Sequence, residues 1–213
     1  MDIIFFGMQG AGKGTLGKAV AKKYNMQLFE TGAELRRLSA ESSELGHKVK
    51  SIIDAGHLVD NAVVMEIVEN FVQNLKPGVS ILFDGIPRKI EQANSLNTLL
   101  DKNGRKYRAV LINISRETAL KRLTTRRICS VCKTVYPADY QNDACECGGE
   151  LITRQDDNPQ SIETRLKAFE EETLPAIELY KDNLIKIDGE PKIDEVEKTA
   201  LEILNTVMNE PSN

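Results

Sequence analysis

The chain has 213 residues, 41% hydrophobic and 28% charged, with a net charge of -4 and only two histidines. That length supports one substantial core with a small insert, and the composition is that of an ordinary globular protein. The acidic balance argues against a nucleic-acid surface, and no apolar stretch approaches the roughly 20 residues that span a membrane. An N-terminus carrying Asp2 and then, from Gly7, a glycine-rich loop does not read as a signal peptide, so a cytoplasmic location is expected.

DIIFF (2–6) is a short apolar run of the kind buried parallel strands use. GMQGAGKGT (7–15) follows and nearly matches G-x-x-x-x-G-K-[ST]. Gly7, Gly12 and Lys13 fit. Gly14 stands where a hydroxyl is usual, and Thr15 brings the hydroxyl one place late. KGTLGKAVAKKY then shows helical spacing of Leu16, Ala19, Val20 and Tyr24. Strand, glycine loop and helix in that order predict a phosphate cradle. Glycines at 7, 10, 12 and 14 turn backbone N–H groups inward, the helix adds its positive end, and Lys13 supplies a point charge.

Further strands are expected at MQLFE, SILFDG (80–85), YRAVLINI (107–114) and NLIKID (183–188), with helices near 60–75, 89–102, 116–127 and 192–208. Alternating strands and helices imply a parallel sheet with right-handed crossovers. Two stretches interrupt the alternation. Residues 31–59 read as a helical insert, and 128–157 as a polar insert with its own staple. A helix restarts at Pro159, capped by Asn158, and Pro175 is expected to kink or break it. MNEPSN reads as a frayed tail.

Gly14 offers no metal ligand, so Mg²⁺ would be held by nucleotide phosphates and water, with Asp84 in support at a strand's carboxyl end. Gly85 follows Asp84 where a hydrolytic ATPase wants an acid to orient water, which favours transfer to another acceptor. All four cysteines fall in Cys129-x2-Cys132-x12-Cys145-x-Cys147. Such clustering in a reducing compartment favours structural zinc over disulfides. The first pair has standard knuckle spacing and the second is one residue tighter. Cys145 is the expected partner of Cys147, with Asp143 as the fallback oxygen ligand. The segment holds too few apolar residues to fold alone, so metal would stand in for a core. His47 and His57 sit outside any ligand or triad spacing and read as structural or surface residues.

GMQGAGKGT, TGAELRR, FDGIPR, RLTTRR, the four-cysteine insert and TRQDD occur in this order. Together they resemble long-lid bacterial adenylate kinases over essentially the whole chain. The resemblance implies an α/β P-loop nucleoside monophosphate kinase fold: a central parallel sheet flanked by helices, with two mobile inserts. It divides the chain into core (1–30), AMP-binding insert (31–59), core (60–121), zinc lid (122–158) and core (159–213). It implies reversible Mg²⁺-dependent transfer, ATP + AMP to 2 ADP, by a monomer that binds neither nucleic acid nor membrane.

The resemblance also implies roles. Gly10, Ala11, Gly12, Lys13, Gly14 and Thr15, with Tyr136 and Pro191, would bind ATP. Thr31, Gly32, Arg36, His57, Leu58, Val59, Gly85, Arg88 and Gln92 would bind AMP. Arg122 would lie near the ATP adenine, and Arg126, Arg154 and Arg165 would clamp phosphates beside the lid acids Asp156 and Asp157. Lys13, Asp84, Arg88, Arg122, Arg126, Arg154 and Arg165 would form the catalytic set. An AMP phosphate oxygen is already anionic near neutral pH, so positioning and charge neutralisation suffice without a general base. Two departures stand out: Ala33 where the family usually carries Asp, and Ile86 where it carries Phe. The rival readings are a kinase for another nucleoside monophosphate, separable by comparing acceptors, and a nucleotide-gated nucleic-acid-binding zinc protein, separable by a salt-dependent gel shift.

Overall fold

A computed structural model of the chain describes residues 1–208; of the tail expected to fray, residues 209–213 lie outside the described residues. Five parallel strands form the central sheet: β1 (Asp2–Phe6), β2 (Gln27–Glu30), β3 (Ile81–Asp84), β4 (Tyr107–Asn113) and β8 (Leu184–Asp188), in the spatial order β2-β3-β1-β4-β8. β1 is central and buried along its whole length, as its apolar run requires with helices on both faces. Ile4 pairs with Phe83 on one side and Ala109 on the other. All five expected strands are present. The sheet's amino edge is pinned by Asp2, which is 2% exposed: it accepts hydrogen bonds from Ile81 N and, through both oxygens, from Arg105.

Helices α1 (Lys13–Lys23), α4 (Asn61–Gln73), α5 (Ile90–Lys102), α6 (Arg116–Thr125), α7 (Pro159–Ala168) and α9 (Ile193–Met208) bury one face each against this sheet or one another. Asp60 caps α4, Ser115 caps α6 and Asn158 caps α7, each accepting from a backbone N–H of the first turn. The first insert is helical as expected: α2 (Thr31–Ser39) and α3 (Glu44–Asp54), the latter capped by Ser43.

One expectation needs correction. The helix placed at 116–127 stops at Thr125. The Thr124 and Thr125 hydroxyls bond back to Leu120 and Lys121 carbonyls, Arg126 turns extended, and Arg127 enters a strand paired with Tyr136. At Pro175 the expected disturbance of the helix takes the form of successive changes of helix type. The chain widens into a π-helical turn at Phe169–Thr173, passes Pro175 in α8 (Leu174–Ile177) and tightens into a 3₁₀ stretch at Glu178–Asn183. The wide turn absorbs the missing N–H and the ring's clash with the preceding turn.

The second insert is a three-stranded antiparallel sheet, β5 (Arg127–Cys129), β6 (Val135–Tyr136) and β7 (Leu151–Ile152), ordered β6-β5-β7. Cys129, Tyr136 and Cys145 form a hydrophobic cluster of their own, separate from the main core, with Tyr140 and Leu151 packed against it. A 3₁₀ turn, Gln155–Asp157, leads from this sheet back to α7.

Candidate active site

The site lies at the carboxyl ends of β1, β2 and β3. After β1 the chain turns through Gly10 and Gly12, both at φ +87°. A side chain at Gly10 would also meet the Ala119 carbonyl at 3.0 Å, so both conformation and close approach require glycine. α1 begins at Lys13. Its ammonium folds over the loop and donates to the carbonyls of Gly7 (2.7 Å) and Met8 (3.2 Å). Burial pulls the Lys13 pKa down to about 8; Asp84 opposes that shift, while Arg88 and Arg126 add to it. The acid ending β3 and two motif arginines are therefore near enough for their charges to act on the loop lysine. Gln9 and Arg88 line a small cavity beside Lys13, and the buried Gln9 Oε1 has no hydrogen-bond partner there.

Arg88 follows β3 and is held from three sides. Its Nε donates to Gly85 O (2.9 Å), its backbone N–H donates to Gln92 Oε1 (2.9 Å), and its carbonyl accepts from Thr173 Oγ1 (3.0 Å). Gln92 is buried, with its amide oxygen committed to that bond. Desolvation lowers the Arg88 pKa, and the neighbouring charges of Arg165 and Arg36 lower it further. Thr31 is buried with its hydroxyl unpartnered, near the point above Gly85 where a side chain would start (3.7 Å).

Arg126, Arg154 and Arg165 come from the base of the second insert. Asp157 bridges two of them: both its oxygens bond Arg126, and Oδ1 also accepts from Arg165 at 2.8 Å. Arg165 reaches Asp156 as well, at Oδ2 (3.1 Å) and the carbonyl. Arg154 makes no such pair among the described residues. Its Nε is buried without a partner, and desolvation with repulsion from Arg126 and Arg36 lowers its pKa to about 10. Arg122, on α6, donates to the carbonyls of Gly10, Glu190 and Pro191, bridging the glycine loop to the loop after β8. Lysine and arginine thus outnumber the acids facing them, which suits an anion of several charges.

Glu30 ends β2 and pairs in register with Asp84, which ends β3. A side-chain carbon on Gly14 would lie 3.1 Å from Glu30 Oε1 and 3.7 Å from Asp84 Oδ2. Neither carboxylate takes a hydrogen bond or ion pair from a described residue. Desolvation raises the Glu30 pKa, and Asp84 raises it further against the lowering influence of Lys18, Arg36 and Arg154. Two oxygens with free lone pairs over a glycine cradle fit a hard cation such as Mg²⁺.

The four cysteine sulfurs lie within 4.8 Å of one another. Cys129 and Cys147 approach to 3.5 Å, and Cys132 and Cys145 to 3.4 Å. A tetrahedron of sulfurs around zinc has edges of roughly 3.8 Å, so the donor set fits that ion. Backbone N–H groups of Val131 and Cys132 donate to Cys129 Sγ, as suits a thiolate ligand. The cluster consists of the four cysteines; Asp143, the fallback ligand, is outside it.

Other expected residues sit as follows. Gly32 lies against the Arg36 guanidinium, and Arg36 itself is exposed. Ala11 is buried and Thr15 exposed. Leu58 is half-buried, Val59 belongs to the main core, and His47 and His57 are exposed. The Tyr136 hydroxyl meets Cys145 Sγ at 3.1 Å inside the small sheet's own cluster. Sequence reasoning missed Gln9 and Glu30. The signal for Glu30 was an acid closing a strand directly before TG, but its meaning depends on which strand lies alongside.

The profile of the adenylate kinase family matches residues 5–185. The chain is 36% identical to an adenylate kinase of Fervidobacterium nodosum over 212 residues, covering 96% of this chain and 97% of that one. It is 37% identical to an adenylate kinase of Clostridium beijerinckii, covering 96% and 98%. It is 36% identical to an adenylate kinase of Archaeoglobus fulgidus over 215 residues, covering 97% and 99%.

Proposed function

We propose a division of labour among these residues from one premise: the chain belongs to the adenylate kinase family. It is a nucleoside monophosphate kinase, a phosphotransferase. Its reaction is reversible transfer of the terminal phosphoryl group of ATP to AMP, giving two ADP. An AMP phosphate oxygen forms the new P–O bond, the bond from the γ-phosphorus to the β–γ bridging oxygen breaks, and ADP leaves with that electron pair.

The observation that carries this reading is that Lys13 of the glycine loop and Arg88 line one cavity with Gly7, Gln9 and Gly85. Charge moves between two anions in the reaction, and fixed cations lower its barrier without proton transfer. Lys13 neutralises the transferring phosphoryl group. Arg88, rigidly hung from Gly85, Gln92 and Thr173, orients the acceptor phosphate beside Thr31, Gly32 and Arg36. Arg122 holds the donor between the glycine loop and Pro191, while Arg126, Arg154 and Arg165 clamp phosphates and exclude water. The insert at 31–59 closes on the acceptor and the segment 122–158 on the donor.

Mg²⁺, bound with the nucleotide, would supply charge neutralisation across the donor phosphates, and Asp84 is the residue that would hold its water shell. Zn²⁺ on Cys129, Cys132, Cys145 and Cys147 would hold the lid sheet together without entering the chemistry. A cytoplasmic location goes with this reading, and the acidic balance supports the absence of a nucleic-acid partner; among the described residues no helix is long and apolar enough to cross a membrane.

A coupled assay offering ATP with AMP, CMP, UMP or GMP tests the assignment. AMP should be preferred. Preference for another acceptor would move the chain's specificity within the same enzyme class, and no transfer to any of them would overturn the mechanism.

A further inference from the structure

We propose that Glu30 is a second carboxylate positioning the nucleotide-bound Mg²⁺, acting with Asp84 across the cradle above Gly14. The inference rests on the kinase reading given above.

The argument begins with the glycine. In the usual phosphate loop the residue after the lysine ligates Mg²⁺ through a hydroxyl. Here that residue is Gly14, which brings no ligand and no side chain. Its bare backbone lets Glu30 Oε1 come within 3.1 Å, and Asp84 Oδ2 within 3.7 Å, of where a side-chain carbon would stand, so the two carboxylates converge on that point. Strand pairing fixes this: Glu30 and Asp84 are register partners at the ends of adjacent parallel strands. Parallel register puts two like charges side by side, which is unfavourable unless something positive sits between or above them.

No described residue forms a hydrogen bond or ion pair with either carboxylate, although the charges of Lys13 and Arg88 act on Asp84 from a distance. Lys13 lies beside Asp84, but its ammonium is spent on the Gly7 and Met8 carbonyls. Lys18, Arg36 and Arg154 act on Glu30 only at a distance, without a hydrogen bond or ion pair to it. Ala33, one turn into α2, has no oxygen to offer. Mg²⁺ keeps several waters when bound and takes one or two carboxylates. Glu30 and Asp84 are positioned to accept hydrogen bonds from those waters, orienting the ion in place of the missing hydroxyl. Glu30 is therefore a positioning residue, acting through the ion's hydration shell.

Calorimetric titration tests this without turnover. Wild type, Glu30→Gln and the control Glu34→Gln are each titrated with ATP in EDTA and with MnATP, and the ratio of the two Kd values is compared. Glu34 is a half-buried acid on α2 whose carboxylate bonds Arg37. In Glu30→Gln the advantage of MnATP over ATP should shrink about 10- to 100-fold, the range for a lost outer-shell partner of a metal. Glu34→Gln should keep the wild-type ratio. A Glu30 that only balances Arg36 and Arg154 would change ATP and MnATP binding alike, leaving the ratio intact and overturning the inference. An equal fall in Glu34→Gln would also overturn it, by showing a general charge effect. If wild type itself gains nothing from Mn²⁺, the cation reading of the whole site fails, a result distinct from loss of the Glu30 role alone.

Discussion

Asp157 holds Arg126 in a two-oxygen grip, with N–O distances of 2.6 to 2.9 Å and the carboxylate side chain fully buried. A carboxylate fork presents nearly the geometry of two phosphate oxygens. Arg126 is thereby held in position before any phosphate arrives, and the same acid restrains Arg165. Asp157→Asn keeps the shape and removes the charge that balances both arginines. Stability should drop by on the order of 3 kcal/mol, because breaking a buried pair strands its partner. Saturating ATP should then raise Tm more in the variant than in wild type, since phosphates restore the lost negative charge. Thermal unfolding with and without ATP checks both statements, and an equal nucleotide shift in the two proteins would contradict the second.

Lys13 should show opposite pH signs in binding and in folding. Its folded pKa is about 8, below the ordinary 10.5. Below about 8 the buried ammonium is charged and carries its full desolvation penalty; between 8 and 10.5 the unfolded chain binds more protons, so Lys13's contribution to stability improves as pH rises. ATP needs the charged form, so its affinity should fall as pH climbs through about 8. Lys13→Ala should lose that pH dependence and about 100-fold or more in kcat, the order for one lost electrostatic donor. Binding titrations across this range, with the variant alongside, decide it.

Arg88 should separate the two substrates. Arg88→Ala removes the group hung beside Gly85 and Thr31 and should raise KM for AMP strongly, lower kcat, and change KM for ATP much less. Steady-state kinetics with each nucleotide varied in turn would expose the assignment as mistaken if both KM values rose together.

Metal removal should unfold the small sheet while sparing the main core. The two hydrophobic clusters are separate, so the cysteine sheet has little besides its ligands to hold it. Chelation should lower Tm, open the segment between Cys129 and Cys147 to protease, and leave AMP binding in place. Cys132→Ser and Cys145→Ser should each resemble the stripped protein, because all four sulfurs belong to the cluster. A protein that carries no zinc, takes none up on refolding and melts identically with chelator would refute the zinc assignment and leave the phosphotransferase reading standing.

The parts of this site that were legible in the sequence are those whose logic is local. The glycine loop announces itself because strand, turn, lysine and helix lie within about twenty residues. The cysteines do so because knuckle ligands cluster along the chain. Glu30 was invisible for the opposite reason. Its significance comes from standing beside Asp84, fifty-four positions away, and register between strands β2 and β3 is not written in either segment. The π-helical turn before Pro175 was missed because proline predicts disruption without saying how neighbouring turns absorb it. The Gln92 orientation, with its oxygen committed to the Arg88 backbone, depends likewise on how the helix start meets the strand end.

The small sheet keeps its own cohesion, since nothing in its cluster of Cys129, Tyr136 and Cys145 belongs to the main core. The chain leaves the body after Thr125 and returns at the turn beginning with Gln155, next to the arginines that do the clamping. Arg122, Arg154 and Arg165 lie outside the three small strands, in the body or at the seam. The small sheet is therefore an attachment to the body and not part of it: a change in its length or in what holds it folded would leave Arg122, Arg154 and Arg165 where they stand.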